Sequence, residues 1–176
     1  MPSDEELLAR LLRGDLGAFD ALYERYERHL LGLIRIHLND AAEAEDVLHD
    51  AFLSLIRDCR AGRSMNSFKP WIFQVTRNLC LNRLRTRRRA TAALEIVSRD
   101  PADAREQPNE AVEAKEASEA LRGAVAQLPP GLAEVYRLRA AGLSYEQMAE
   151  TLKIPLGTIK SRLHEMVSRL KQEVSE

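Results

Sequence analysis

Apolar side chains recur at three- and four-residue steps along most of this chain, and almost nowhere do they alternate with polar ones. That period is helical, because positions i, i+3, i+4 and i+7 share one face of an α-helix. In one stretch Phe19, Leu22, Tyr23, Tyr26, Leu30, Leu33, Ile34 and Leu38 follow it, and in the next Val47, Leu48, Ala51, Phe52, Leu55 and Ile56 do. The pattern predicts an all-α fold with helices over about 4–13, 18–38, 41–59 and 68–89, then 111–127, 131–141, 145–152 and 156–173. Gly14-Asp15 stops the first helix, and Asn39-Asp40 ends the second and caps the third. Ser67 is placed to cap the fourth, where Pro70 falls in the first turn and its missing N–H costs nothing.

The periodicity lapses at 95–110, where Pro101 and Pro108 sit among Asp, Glu, Ala and Asn. That break predicts two small helical domains, 1–92 and 112–176, joined by a flexible acidic linker over 93–111. Charge follows the same division. The whole chain of 176 residues sums to −1, but residues 1–94 carry 15 basic and 13 acidic side chains, 95–119 carry 3 and 8, and 120–176 carry 8 and 6. The near-neutral total is therefore a poor guide to partners. Six arginines and no acid lie within 77–90: Arg77, Arg83, Arg85, Arg87, Arg88 and Arg89.

Several classes are disfavoured. No apolar run reaches the ~18 residues of a membrane span, and the start Met1-Pro2-Ser3-Asp4-Glu5-Glu6 is wrong for a secretion signal. Cys59 and Cys80 form no CxxC pair and read as thiols of a cytosolic protein. The histidines show no metal-ligand spacing. Asp46, His49 and Asp50 lack a fourth ligand, so neither a metal nor a cofactor is expected, and no catalytic residue stands out.

Three constellations remain. In 143–170 a short helix, a tight turn and a longer helix make a helix-turn-helix. Ser144 and Gln147 have capping-box spacing, with Leu143 and Met148 as the flanking staple. Ile159, Leu163, Met166, Val167 and Leu170 should face the core. Gly157, Ser161, His164 and Ser168, flanked by Lys160 and Glu165, form the face suited to a major groove. The second constellation, 60–89, sets Phe68 and Trp71 near Arg77, Asn78, Asn82 and the arginine run. Stacking surface, base-edge donors and positive charge are what single-stranded nucleic acid needs, although both aromatics also suit a core. On that helix Ile72, Val75, Thr76 and Leu79 form the inner stripe. The third, 43–56, presents Asp46, His49, Asp50 and Leu53 beside an apolar stripe: an acidic face for a protein partner, or a plain solvated one.

Four stretches resemble the extracytoplasmic-function sigma factors of bacterial RNA polymerase, in the sigma-70 family. They are Ala44-Glu45-Asp46-Val47 with Asp50-Ala51-Phe52; Phe68-Lys69-Pro70-Trp71-Ile72-Phe73 with Thr76-Arg77-Asn78; Gln127-Leu128-Pro129; and Gly142 to Ala149 leading into Ile154-Pro155-Leu156-Gly157-Thr158-Ile159-Lys160-Ser161-Arg162-Leu163. The resemblance implies a cytoplasmic, non-enzymatic transcription initiation factor that lends promoter specificity to core polymerase and is held in check by an anti-sigma factor. Asp46, His49, Asp50, Phe52 and Leu53 would then lie on the surface gripping the polymerase β′ clamp, with the β flap engaging the second domain. Phe68, Trp71, Arg77, Asn78, Asn82, Arg85 and Arg88 would hold the −10 promoter element. Thr158, Lys160, Ser161, Arg162, His164 and Glu165 would read or flank the −35 element.

Three positions depart from the family's habit. His49 stands where Gln is most common, Lys153 where Gly is frequent in the turn, and Glu165 where Arg is common. Two rivals stay open on residues alone: a stand-alone helix-turn-helix regulator, and a helical interaction protein with no nucleic-acid role.

Overall fold

The computed structural model of the chain describes residues 1–62, 67–94 and 123–174. Most of the expected linker, from residue 95 on, and the first part of the expected 111–127 helix lie outside them. The chain divides into two units, Met1–Asp100 and Pro101–Glu176.

In the first unit, α1 (Asp4–Leu12), α2 (Leu16–His37), α3 (Ala41–Arg60) and α4 (Phe68–Leu94) follow in order. Each of the first three starts on a side chain that accepts otherwise orphaned amides. Ser3 and Glu6 form a full capping box, Asp15 accepts from the Gly17 amide at 3.0 Å, and Asp40 accepts from the Glu43 amide at 2.8 Å. Because Asp15 does the capping, α2 begins at Leu16, two residues before the periodicity alone suggested. The core takes one stripe from each helix: Leu7 from α1, Leu22, Leu30 and Ile34 from α2, Val47 and Leu55 from α3, Ile72 and Phe73 from α4, all essentially inaccessible.

An aromatic seam runs through that core. Tyr26 of α2 meets Phe68 of α4 edge-on, with ring centroids 5.3 Å apart, and Phe73 at 6.2 Å. Its hydroxyl donates to the carboxylate of Asp4 in α1, which also accepts from Arg25. Burial, with that carboxylate alongside, pushes the Tyr26 phenol well above its usual range, so the hydroxyl stays a donor.

In the second unit a helical turn at 123–126 precedes α5 (Pro130–Ala140), α6 (Tyr145–Leu152) and α7 (Leu156–Val174). Pro130 opens α5. Gly142 ends it at φ +76, donating to the Arg139 carbonyl at 2.9 Å while Leu143 donates to Leu138 at 3.1 Å, a Schellman closure that needs a left-handed residue. The expected capping box is present in full: the Gln147 amide donates to Ser144 Oγ at 3.2 Å and the Ser144 amide to Gln147 Oε1 at 2.9 Å. Leu143, Met148, Val135, Leu138 and Ile159 fill the interior.

Two details of the turn and the last helix stand out. Lys153, at the end of α6, has φ 56 and ψ 44, the left-handed conformation that a β-carbon makes costly by roughly 1–2 kcal/mol. Replacing it with Gly removes that strain and adds chain entropy to the unfolded state. A net gain of about 1 kcal/mol is expected, read as slower hydrogen exchange of the α6 and α7 amides. Val167, expected in the core, is instead 43% exposed. At ~100° per residue it lies roughly 80° around α7 from Ile159, past the edge of the stripe that Ile159 and Met166 bury.

Candidate functional site

Three surfaces carry the candidate residues. On α3, Asp46 and His49 are exposed, and Leu53 projects with 51% of its surface accessible. Asp50 is partly covered, because its carboxylate accepts from Arg83 of α4 at 3.0 Å. Phe52 corrects the expectation of a surface residue: it is only 2% exposed, edge-on to Phe19 at 5.7 Å and tilted against Tyr23 at 4.7 Å. Those two rings come from α2, and Phe52 keeps the place in the apolar stripe that the periodicity of α3 predicts. The same helix presents Glu43 to Arg87 of α4.

On α4 the two aromatics part company. Phe68 is 1% exposed, with Tyr26 on one side and Trp71 at 6.1 Å on the other, which leaves no ring face for a base to stack on. Its candidacy as a −10 stacking platform is therefore corrected to a core role. Trp71 is half-buried. Ile72 and Thr76 are buried as expected, and the Thr76 hydroxyl donates to the Ile72 carbonyl at 2.8 Å, while Val75 and Leu79 are half-buried. Phe73 and Cys80 complete the inner face, and periodicity counted from Ile72 did not pick them out. Asn78 and Asn82 are exposed one turn apart, and Asn82 Oδ1 accepts from Arg85 at 3.3 Å. Arg88 and Arg89 are exposed, and Arg77 is half-buried. Burial and the charge of Asp58 push the Cys59 thiol up, so it is not primed as a thiolate. Of the loop between α3 and α4, residues 63–66 lie outside the described ones.

On α7, Lys160, Ser161, His164 and Glu165 are exposed, and Thr158 and Arg162 are half-buried. Arg162 is turned back over the first turn of α5: a β-carbon on Gly131 would sit 3.4 Å from its guanidinium carbon. Glu165 already has a cation, Arg169 one turn on at 2.9 Å. The carboxyl of Glu146, in the first turn of α6, is held below its usual range by its own amide, then by the Ser144 hydroxyl at 2.9 Å and the charge of Lys160. Among the described residues nothing lies within 4 Å of where a β-carbon on Gly157 would stand, which leaves open space there at this end of α7. The face is thus small, polar and open, with cations at its edges, a shape that fits a DNA groove. Among the described residues, no group of three or more His, Cys, Asp or Glu could hold a metal, and no helix is long and apolar enough to cross a membrane.

Comparison with known proteins gives two family matches, Sigma-70 region 2 over residues 22–90 and Sigma-70, region 4 over residues 118–170. The RNA polymerase sigma-H factor of Pseudomonas aeruginosa is 32% identical over 169 residues, spanning 91% of this chain and 88% of that protein. The ECF RNA polymerase sigma factor SigM of Mycobacterium tuberculosis is 35% identical over 170 residues, spanning 96% and 83%. Among solved structures, CnrH in complex with the cytosolic domain of CnrY superposes with a TM-score of 0.65 at 21% identity over 98% of this chain and 97% of that one. The sigma factor RpoE in complex with the anti-sigma factor NepR, from Bartonella quintana, gives 0.64 at 23% over 89% and 96%. At these identities the two structures speak for the fold alone.

Proposed function

The chain belongs to the extracytoplasmic-function group of the sigma-70 family, and we propose from that premise how its surfaces divide the work of starting transcription. It is an alternative sigma factor, which binds core RNA polymerase and directs it to promoters. Members of this family are initiation factors without a reaction of their own. The observation that carries the assignment is the presence of both family regions, in order, on one chain.

In this reading Asp46, His49, Asp50 and Leu53 on α3 meet the polymerase clamp. Asn78, Asn82, Arg85 and Arg88 on α4, with Trp71 and Arg77 supporting them from half-buried positions, hold the −10 element. Exposed Asn side chains supply base-edge hydrogen bonds, and the arginines neutralise phosphate. Lys160, Ser161, His164 and Glu165 face the −35 element, Thr158 stands at the N-terminal end of the same helix, and Arg162 positions that helix against α5. Arg169 engages only one oxygen of Glu165, and the other can accept from a cytosine N4. The second unit meets the polymerase β flap. An anti-sigma factor regulates the chain by covering these surfaces; the similar structure of RpoE is of a complex with the anti-sigma factor NepR. The work takes place in the cytoplasm, where polymerase and promoters are.

The deciding experiment mixes the purified chain with core RNA polymerase and a promoter library and maps transcription starts. Start sites sharing a −10 and −35 pair are the expected result. Absence of polymerase association, with no inhibitor present, would sink the reading. The DNA face of α4 has its own test. Arg88→Gln should flatten the salt dependence of holoenzyme–promoter binding by about 0.9 in log–log slope, one phosphate's worth of released counterion. An unchanged slope would place Arg88 away from DNA.

A further inference from the structure

The six arginines of α4 are not one patch. Arg83 pairs with Asp50 at 3.0 Å and Arg87 pairs with Glu43, so two of the six reach an acidic partner on α3 while staying partly open to solvent. The Glu43 carboxylate is well covered, with 15% of its side chain accessible. At ~100° per residue, Asn78, Arg85, Arg88 and Arg89 lie roughly 120–160° around α4 from Arg83. Burial explains why the pairs matter. Cys80 is buried, and from Leu81 to Thr91 no side chain of α4 is fully buried. Beyond Cys80, therefore, the helix runs out with little core beneath it. Among the described residues, two ion pairs tie this stretch to α3. They run antiparallel, Asp50 to Arg83 and Glu43 to Arg87, and so fix both the tilt and the rotation of the helix end.

We propose that Glu43 and Asp50 are positioning residues for promoter binding: by bracketing Arg87 and Arg83 they aim the end of α4 that carries Arg85, Arg88 and Arg89. This rests on the reading of α4 as the −10 helix. Arg83 and Arg87 act through geometry and leave phosphate contact to the arginines on the open side. Exposed and half-exposed pairs contribute modestly, so the effect is one of aim and not of folding.

The test uses holoenzyme reconstituted with full-length chain on a promoter fragment that the wild-type holoenzyme binds. Glu43→Arg and Arg87→Glu should each weaken promoter binding by up to about five-fold. The double exchange, which restores the pair with its charges swapped, should return to within about two-fold of wild type. In parallel, Arg87→Gln should leave the salt slope unchanged where Arg88→Gln lowers it. A double exchange no tighter than the weaker single variant would overturn the proposal. So would an Arg87→Gln slope reduced as far as that of Arg88→Gln, because Arg87 would then be a phosphate contact. If the wild-type chain fails to bind core polymerase, the functional reading underneath falls first, and that control is read before any variant is compared.

Discussion

Phe52→Ala should cost the first unit about 3–5 kcal/mol, enough to leave much of a marginally stable domain unfolded at 37 °C. The side chain is 2% exposed and touches Phe19 and Tyr23, so truncation removes a large buried area, two aromatic contacts and their close packing at once. A denaturant melt followed by helical circular dichroism reads the loss directly. Polymerase binding by this variant would fall in proportion to the unfolded fraction. A variant that keeps its full melting midpoint but loses polymerase would instead return Phe52 to the interface.

Asp46→Arg should do the opposite: it leaves the melting curve in place and removes polymerase binding. Asp46 is exposed on α3, one turn from Asp50 and beside His49, so reversing it disturbs no buried group. At an interface, a reversed charge loses an attraction and gains a repulsion. A loss of about 2 kcal/mol or more, roughly thirty-fold in affinity, is expected in a titration against core polymerase. Wild-type affinity in the folded variant would move the contact surface off this face of α3.

The parts of the fold that could be read from sequence are those decided within a few residues. The Ser144–Gln147 capping box spans four positions, the Gly142 stop needs only a glycine after a helical run, and the Lys153 turn is fixed by the chain around it. All three are present as the residues suggested. The errors have different causes. Phe68 sits at the margin of a helical stripe, where the Tyr26 ring of α2 decides its exposure, whereas Phe52 lies within the apolar stripe that the periodicity predicts and only the family resemblance put it on the surface. Val167 lies at the same kind of margin as Phe68 with nothing covering it. The arginine run looked uniform because Glu43, the partner of Arg87, is 44 positions away and belongs to another helix. One-dimensional patterns give the face of a helix well and its edges poorly, and the candidate site is made largely of edges.

The Tyr26 seam has a consequence for how the protein is made. Asp4 of α1 and Phe68 and Phe73 of α4 converge on that one side chain, so the first and last helices of the unit share a keystone. The α2–α3 hairpin, whose contacts are local, can form while the chain is still emerging from the ribosome. The unit as a whole cannot close until residue 73 is out. Until then the apolar stripes of the early helices stand open, the condition in which a nascent chain is prone to associate wrongly.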